Sequence, residues 1–178
     1  TAMEIRQGCL GMLAAFRIAA DRLTAGEAHR RVLVTAADNF GTPHVDRWRA
    51  SSLFLLADAA CAAVVSNDAG FAELVATASL SNPGMEELHR GGEPLFPPGA
   101  TIGRGLNFEE RNLYWREQWA RGNPPPSGDL GGLVHDTVAA VLADADLTLS
   151  DIARVCHVGY AAPALRLGQL LRQQAKQA

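Results

Sequence analysis

The sequence is poor in lysine, cysteine and aromatic residues. Of its 16 basic residues only Lys176 is a lysine and the rest are Arg. Together with the heavy use of Ala, that bias points to a GC-rich coding sequence and carries no chemistry. The three cysteines, Cys9, Cys61 and Cys156, are odd in number and far apart. That excludes a disulfide framework and fits a reducing cytoplasm. Aromatics make up 6% of the chain and charged residues 20%, against 48% apolar residues, too apolar and too weakly charged for a disordered tail. With 19 acidic residues against 16 basic ones the net charge is −3, whereas a nucleic-acid module is normally basic, so no nucleic-acid partner is expected. No uninterrupted apolar run reaches membrane-spanning length. The N-terminus, Thr1-Ala2-Met3-Glu4-Ile5-Arg6, lacks the basic-then-apolar plan of a signal peptide. A cytoplasmic location with no membrane partner is therefore expected. The chain begins on Thr1 and not on Met, which reads as a fragment or a trimmed chain. What remains is a 178-residue globular sequence long enough to bury a core.

Residues 3–9 read as a short buried strand. From Cys9 onward Leu10, Leu13, Ala14, Phe16, Ala20 and Leu23 recur at helical spacing, with Gly26 as the stop. Arg31 to Ala36 is short and rich in β-branched residues, which predicts a buried strand. Asp38 to Pro43 is turn-like. Ala60 to Val65 reads as a core strand, and Phe71 to Leu80 as a further strand antiparallel to it. Residues 81–106 carry Pro and Gly repeatedly and read as a long surface excursion. Phe108 to Arg121 is predicted helical, with Leu113, Trp115 and Trp119 as apolar anchors. Leu130 to Leu142 is an amphipathic helix. Ser150-Asp151 fits a turn, Ile152 to Cys156 a strand, and Ala161 to Gln174 a final helix. Such alternation argues for an α/β fold with helices covering a mostly buried sheet.

Two residues stand out chemically. Cys9, in Gln7-Gly8-Cys9-Leu10-Gly11, stands where a strand gives way to a helix. A helix N-terminus offers unpaired N–H groups and a positive dipole end, which favour a thiolate, and the glycines permit close approach of a substrate. The alternative is a small apolar Cys packed at a helix start. His157 follows the predicted strand Ile152 to Cys156. Sites in open α/β sheets lie beyond the carboxyl ends of strands, and a His there can shuttle a proton or donate to an oxyanion. The alternative is a satisfied histidine at a strand end. His29 reads as solvated, His44 and His89 lie in loops, and His135 sits in a helix among polar neighbours. No ligand pair has zinc spacing, so no metal is expected. There is no P-loop, and Gly103-Arg104-Gly105 is too short for a dinucleotide fingerprint.

Three blocks together carry a resemblance. Glu4-Ile5-Arg6-Gln7-Gly8-Cys9-Leu10-Gly11, the Ala-rich helix ending at Ala25-Gly26, and Arg31 to Asp38 resemble the active-site block of ketoacyl synthase III-like enzymes of the thiolase superfamily. Leu55 to Val65 is similar to their F-G-D-G-A-x-A strand. Ser150 to His157 is similar to the strand that delivers their catalytic His. The resemblance implies a partial thiolase-like α/β fold, with mixed sheets around a buried nucleophile helix. It divides the chain into 1–80, carrying the nucleophile, an excursion over 81–128, and 129–178, carrying the His. It makes this chain the central part of such an enzyme, with the third polar partner, Asn or Asp, falling beyond Ala178.

By the same resemblance Cys9 would take an acyl group as a thioester from acyl-coenzyme A or an acyl carrier protein, and His157 would act on the second substrate. No cofactor would be bound permanently, and the assembly would be a homodimer. Condensing members follow the His with Gln-Ala-Asn, whereas here Val158-Gly159-Tyr160 follows. That departure, with the unusual loop Thr42 to Arg49, favours transfer to a hydroxyl or amine acceptor in a polyketide-type pathway over decarboxylative condensation. A non-catalytic thiolase-fold subunit is a third reading, against which the presence of Cys9 counts. Arg47, Arg49 and Arg104 are candidate phosphate contacts or ordinary surface arginines. Trp48 lines a substrate mouth or anchors its loop.

Overall fold

The computed structural model describes residues 2–26, 31–97, 103–124, 126, 130–157 and 159. The chain divides into two units, Thr1–Asn39 with Ala57–Val75, and Phe40–Leu56 with Ala76–Ala178.

The first unit is one helix on a two-stranded ladder. A 3-10 turn over Gly8–Leu10 leads into helix α1, Gly11–Thr24. Ala, Met and Leu, all good helix formers, give α1 its propensity. Its last turn is closed by the Thr24 hydroxyl, which donates to the Ala20 and Asp21 carbonyls at 3.0 and 3.1 Å. Arg22 in that turn suits the negative dipole end. Strand β1, Arg31–Asp38, pairs antiparallel with β2, Ala59–Ser66, from Arg31 opposite Ser66 to Asp38 opposite Ala59. Side chains alternate across such a ladder. Val32, Val34 and Ala36 share one face with Val65, Ala63 and Cys61, while Leu33, Thr35 and Ala37 share the other with Val64, Ala62 and Ala60. Helix α1 packs on both strands. Ala19 and Leu23, one helical turn apart, are 2% and 5% exposed, and Val34 is 5% exposed. Two polar ties close one end of the ladder. The Arg31 guanidinium donates twice to Asp68, at 2.8 and 3.0 Å, and the Asn67 amide donates to the Leu23 carbonyl at 3.4 Å.

Several expectations are corrected here. Residues 2–7 form no strand: they have no strand partner among the described residues, and Gly8 at φ +51° turns the chain out of the extended region. The sheet is not buried on both faces. One helix covers one face, and on the other Leu33 and Val64 stay 67% and 62% exposed. Residues 71–80 are irregular instead of a strand, since their alternation is weak and Phe71 stands fully in solvent.

The second unit is built on polar anchors. Within 40–56, Asp46 organises a helical turn. Its carbonyl accepts from the Arg49 and Ala50 N–H groups and its side chain accepts from the Trp48 N–H at 3.1 Å. Ala50 and Ser51 are buried. This stretch is tied to residues 106–108. The Leu106 N–H donates to the His44 carbonyl at 2.8 Å and the Phe108 N–H to the Ala50 carbonyl at 2.7 Å. Phe54 meets Phe108 edge to face at 5.4 Å.

The expected excursion contains a 3-10 turn, Pro83–Met85, and a short helix α2, Glu86–Arg90. Helix α3, Phe108–Ala120, is capped by Asn107, whose side-chain oxygen accepts from the Glu109 and Glu110 N–H groups at 3.0 and 3.3 Å. Helix α4, Leu130–Asp144, ends where Asp146 takes φ +54° and the Leu147 N–H reaches back to the Leu142 carbonyl at 2.9 Å. A further 3-10 turn, Leu149–Asp151, is held by a Thr148/Asp151 capping box. The predicted strand Ile152 to Cys156 is absent. Residues 153–157 are exposed and irregular, with no strand partner among the described residues. The predicted helix over 161–174 lies outside the described residues.

Candidate active site

Cys9 occupies the middle of the 3-10 turn Gly8–Leu10 and is exposed. The turn is closed by the Leu10 N–H on the Gln7 carbonyl at 3.2 Å and by the Gly11 N–H on the Gly8 carbonyl. No side chain caps α1. The amides of its first turn therefore point back toward the turn that holds Cys9. The local sequence explains this arrangement. Gly8 supplies the positive φ that bends the chain, and Leu10 at the cap position has no side-chain acceptor to compete for those amides.

The C-terminal end of α1 is tied to the Arg31/Ser66 end of the ladder by the Asn67 amide on the Leu23 carbonyl. At the Asp38/Ala59 end the structure has an open depression of about 450 Å³ lined by Ala37, Asp38, Asn39, Asp58, Ala59 and Ala60. The two carboxylates beside it were not singled out from the sequence. The signal for them is the register, because pairing Asp38 with Ala59 sets Asp58 just past the same end.

His157 belongs to the second unit and is exposed, in the irregular segment after the Leu149–Asp151 turn. Cys9 and His157 thus belong to different units. Arg104 lies 3.5 Å from Glu93 and 3.6 Å from Glu110, so its charge is already balanced within the protein. Arg49 approaches Asp46 at 3.9 Å on the surface. Trp48 is exposed on the Asp46 turn. Among the described residues no three His, Cys, Asp or Glu side chains gather as a metal site. No helix among them is long and apolar enough to cross a membrane.

Two carboxylates in the second unit are tuned by hydrogen bonds. The Ser52 hydroxyl and the Ser52 N–H, the latter 2.5 Å from the carboxylate, hold Glu109 below the ordinary carboxylate range. The Thr148 hydroxyl and the Thr148 N–H, at 2.7 and 2.8 Å, do the same for Asp151. Both pairs organise local structure.

Residues 3–83, which include Cys9, match the family 3-oxoacyl-[acyl-carrier-protein (ACP)] synthase III. The chain is similar to the solved structure of ChlB3, an acyltransferase, at 39% identity and a TM-score of 0.77 over 93% of this chain and 49% of that one. It therefore spans about half the length of that relative. No curated protein matches the sequence. Matched over residues 3–83 by sequence and over nearly its whole length by structure, this mixed α/β chain belongs to the ketoacyl synthase III-like family of the thiolase superfamily.

Proposed function

We propose that this chain carries the acyl-transfer centre of an acyltransferase that moves an acyl group from a coenzyme A or carrier-protein thioester to a hydroxyl or amine, in a polyketide-type pathway. The observation that carries this reading is the position of Cys9. It is an exposed thiol in the turn that enters the uncapped N-terminus of α1, inside the segment that matches the family. The Cys9 thiolate attacks the thioester carbonyl. The oxyanion of the tetrahedral intermediate is held by backbone N–H groups, and the donor thiolate leaves and takes up a proton. In the second half-reaction His157 removes the proton from the acceptor as it attacks the Cys9 thioester, and the Cys9 thiolate is expelled. A homodimer and a cytoplasmic setting belong to the same proposal.

Two features favour transfer. Val158-Gly159-Tyr160 replaces the tripeptide of condensing members, and the relative ChlB3 is described as an acyltransferase. The family matched by residues 3–83 favours a second reading, decarboxylative condensation with a malonyl thioester, in which His157 stabilises the enolate.

The test is intact mass after mixing the protein with short acyl-coenzyme A donors, with Cys9→Ala alongside. The expected result is an acyl adduct on the wild type that is missing from Cys9→Ala. In His157→Gln the adduct should persist while its discharge to the acceptor slows by about a hundredfold or more. Carbon dioxide release with a malonyl thioester would replace transfer by condensation. A folded full-length protein that takes no acyl group from any donor would point to a non-catalytic subunit.

A further inference from the structure

Glu93 lies just past the end of α2 and is the meeting point of two arginines from different parts of the second unit. Arg104, from the far side of the excursion, places Nη1 3.5 Å from Glu93 Oε1, and Arg111, on α3, places Nε 3.9 Å from the same oxygen. The Glu93 and Arg111 side chains are only 20% and 19% exposed. The buried Arg111 Nε makes no hydrogen bond. The Arg111 guanidinium lies 5.3 Å from the centre of the Phe108 ring, and Glu93 is its only ion-pair partner among the described residues.

The backbone on either side is shaped to put Glu93 there. Gly91 and Gly92 take φ +55° and +79°, and a Cβ on them would lie 2.9 Å from Arg111 and 2.5 Å from the Tyr114 ring. The turn thus lies directly on α3. The Trp115 indole N–H donates to the Leu88 carbonyl at 3.2 Å, and Arg90 Nη1 donates to the Glu93 carbonyl at 2.7 Å.

We infer that Glu93 is an ionic clasp that straps residues 86–93 and 104–106 onto α3, and that the strap is released when the Glu93 charge is removed or screened. An exposed ion pair contributes little. Here the carboxylate sits between two guanidinium groups, one of them largely buried. Its loss leaves two like charges facing each other, and the buried one loses its counter-charge. Arg104 is half exposed and also pairs with Glu110, so it is the weaker arm. The Gly91 and Glu93 N–H groups, bonded to the Glu87 and Arg90 carbonyls, and the Leu106 N–H, bonded to the His44 carbonyl, report the state of the strap.

The test is hydrogen exchange on the whole protein, comparing wild type with Glu93→Gln, Arg104→Gln and Glu117→Gln. Glu117 is an exposed α3 carboxylate paired only loosely with Arg121, at 4.0 Å. In Glu93→Gln, exchange over 86–97 and 103–106 should quicken about tenfold or more, with β1 and β2 unchanged. Arg104→Gln should give a smaller rise in the same peptides, and Glu117→Gln none. Added salt should move the wild type toward Glu93→Gln, whereas in Glu93→Gln it screens Arg104 from Arg111 and should not quicken exchange further. Exchange in Glu93→Gln within about twofold of wild type, or matched by Glu117→Gln, would overturn the clasp. If Glu93→Gln loosens the whole unit, Arg104→Gln decides: a rise confined to the strap supports the clasp, and no rise overturns it.

Discussion

The two units of this chain are held together in different ways. In the first, distant residues meet through repeated backbone pairing, β1 against β2, and through a helix whose small and apolar side chains pack on one face of that ladder. In the second, they meet mainly through single polar reaches. The Ser52–Glu109 contact, the Trp115–Leu88 bond and the Glu93 clasp each join pieces that have no regular pairing. A ladder with one covered face is specified by a period of two and tolerates change at most single positions. A set of polar anchors depends on the identity of each anchor. The nucleophile candidate sits in the part fixed by periodicity. The histidine candidate sits in the part fixed by anchors.

The largest test of that contrast is Leu23→Ala. Leu23 is among the few buried side chains of the first unit. Its truncation should cost about 3 kcal/mol, read as a lowered urea midpoint with loss of exchange protection in β1 and β2. Equal loss of protection over α3 would break the comparison. Gly92→Ala comes next. Its left-handed backbone disfavours a side chain, and the Cβ would press on Tyr114. The expected cost is about 2 kcal/mol, with loosened exchange over 86–97 and an undisturbed β1–β2 ladder.

Asn107→Ala should cost about 1 kcal/mol, visible as fraying at the start of α3. Asn107→Asp, which keeps the acceptor for the Glu109 and Glu110 N–H groups, should recover most of it. The smallest effect is acid sensitivity. Glu109 and Asp151 are held below the ordinary carboxylate range in the folded protein. Their contribution is therefore complete above that range, shrinks as pH falls below it, and is gone once pH drops under the lowered folded values. Thermal melts from neutral pH down to about pH 3 should show this loss in the second unit. Glu109→Gln should make the loss shallower. A first unit that loses stability over the same window would remove the distinction.

Much of the first unit was legible in the sequence. The helical spacing from Leu10 to Leu23 and the β-branched run at Arg31 to Ala36 placed α1 and β1 within a residue or two, and the apolar run at Ala60 to Val65 placed β2. What failed there were short mixed runs at 3–9 and 71–80, whose weak alternation fits a strand and an irregular exposed segment equally well. In the second unit α3 and α4 were legible for the same reason as α1. The excursion over 81–106 was not. Its order comes from Trp115, Glu93 and Arg104 reaching partners far along the chain, and no local pattern marks a side chain that will do so. The predicted strand before His157 failed because apolar character in five residues says nothing about whether a neighbour exists to pair with them.

The sequence by itself determined the candidate nucleophile and its setting. A Cys between glycines at the start of an Ala-rich helix is a local pattern, and local sterics and helix-end amides act over only a few residues. The sequence also determined the family, because the ordered blocks from Glu4 to Val65 are properties of the chain and not of its packing. Only the tertiary structure decided which face of the ladder is covered, that Asp38 and Asp58 flank a depression at one end of it, and that Glu93 meets two arginines. Those outcomes depend on pairings between residues distant in sequence. Burial and electrostatics act through space, and local patterning leaves them unspecified.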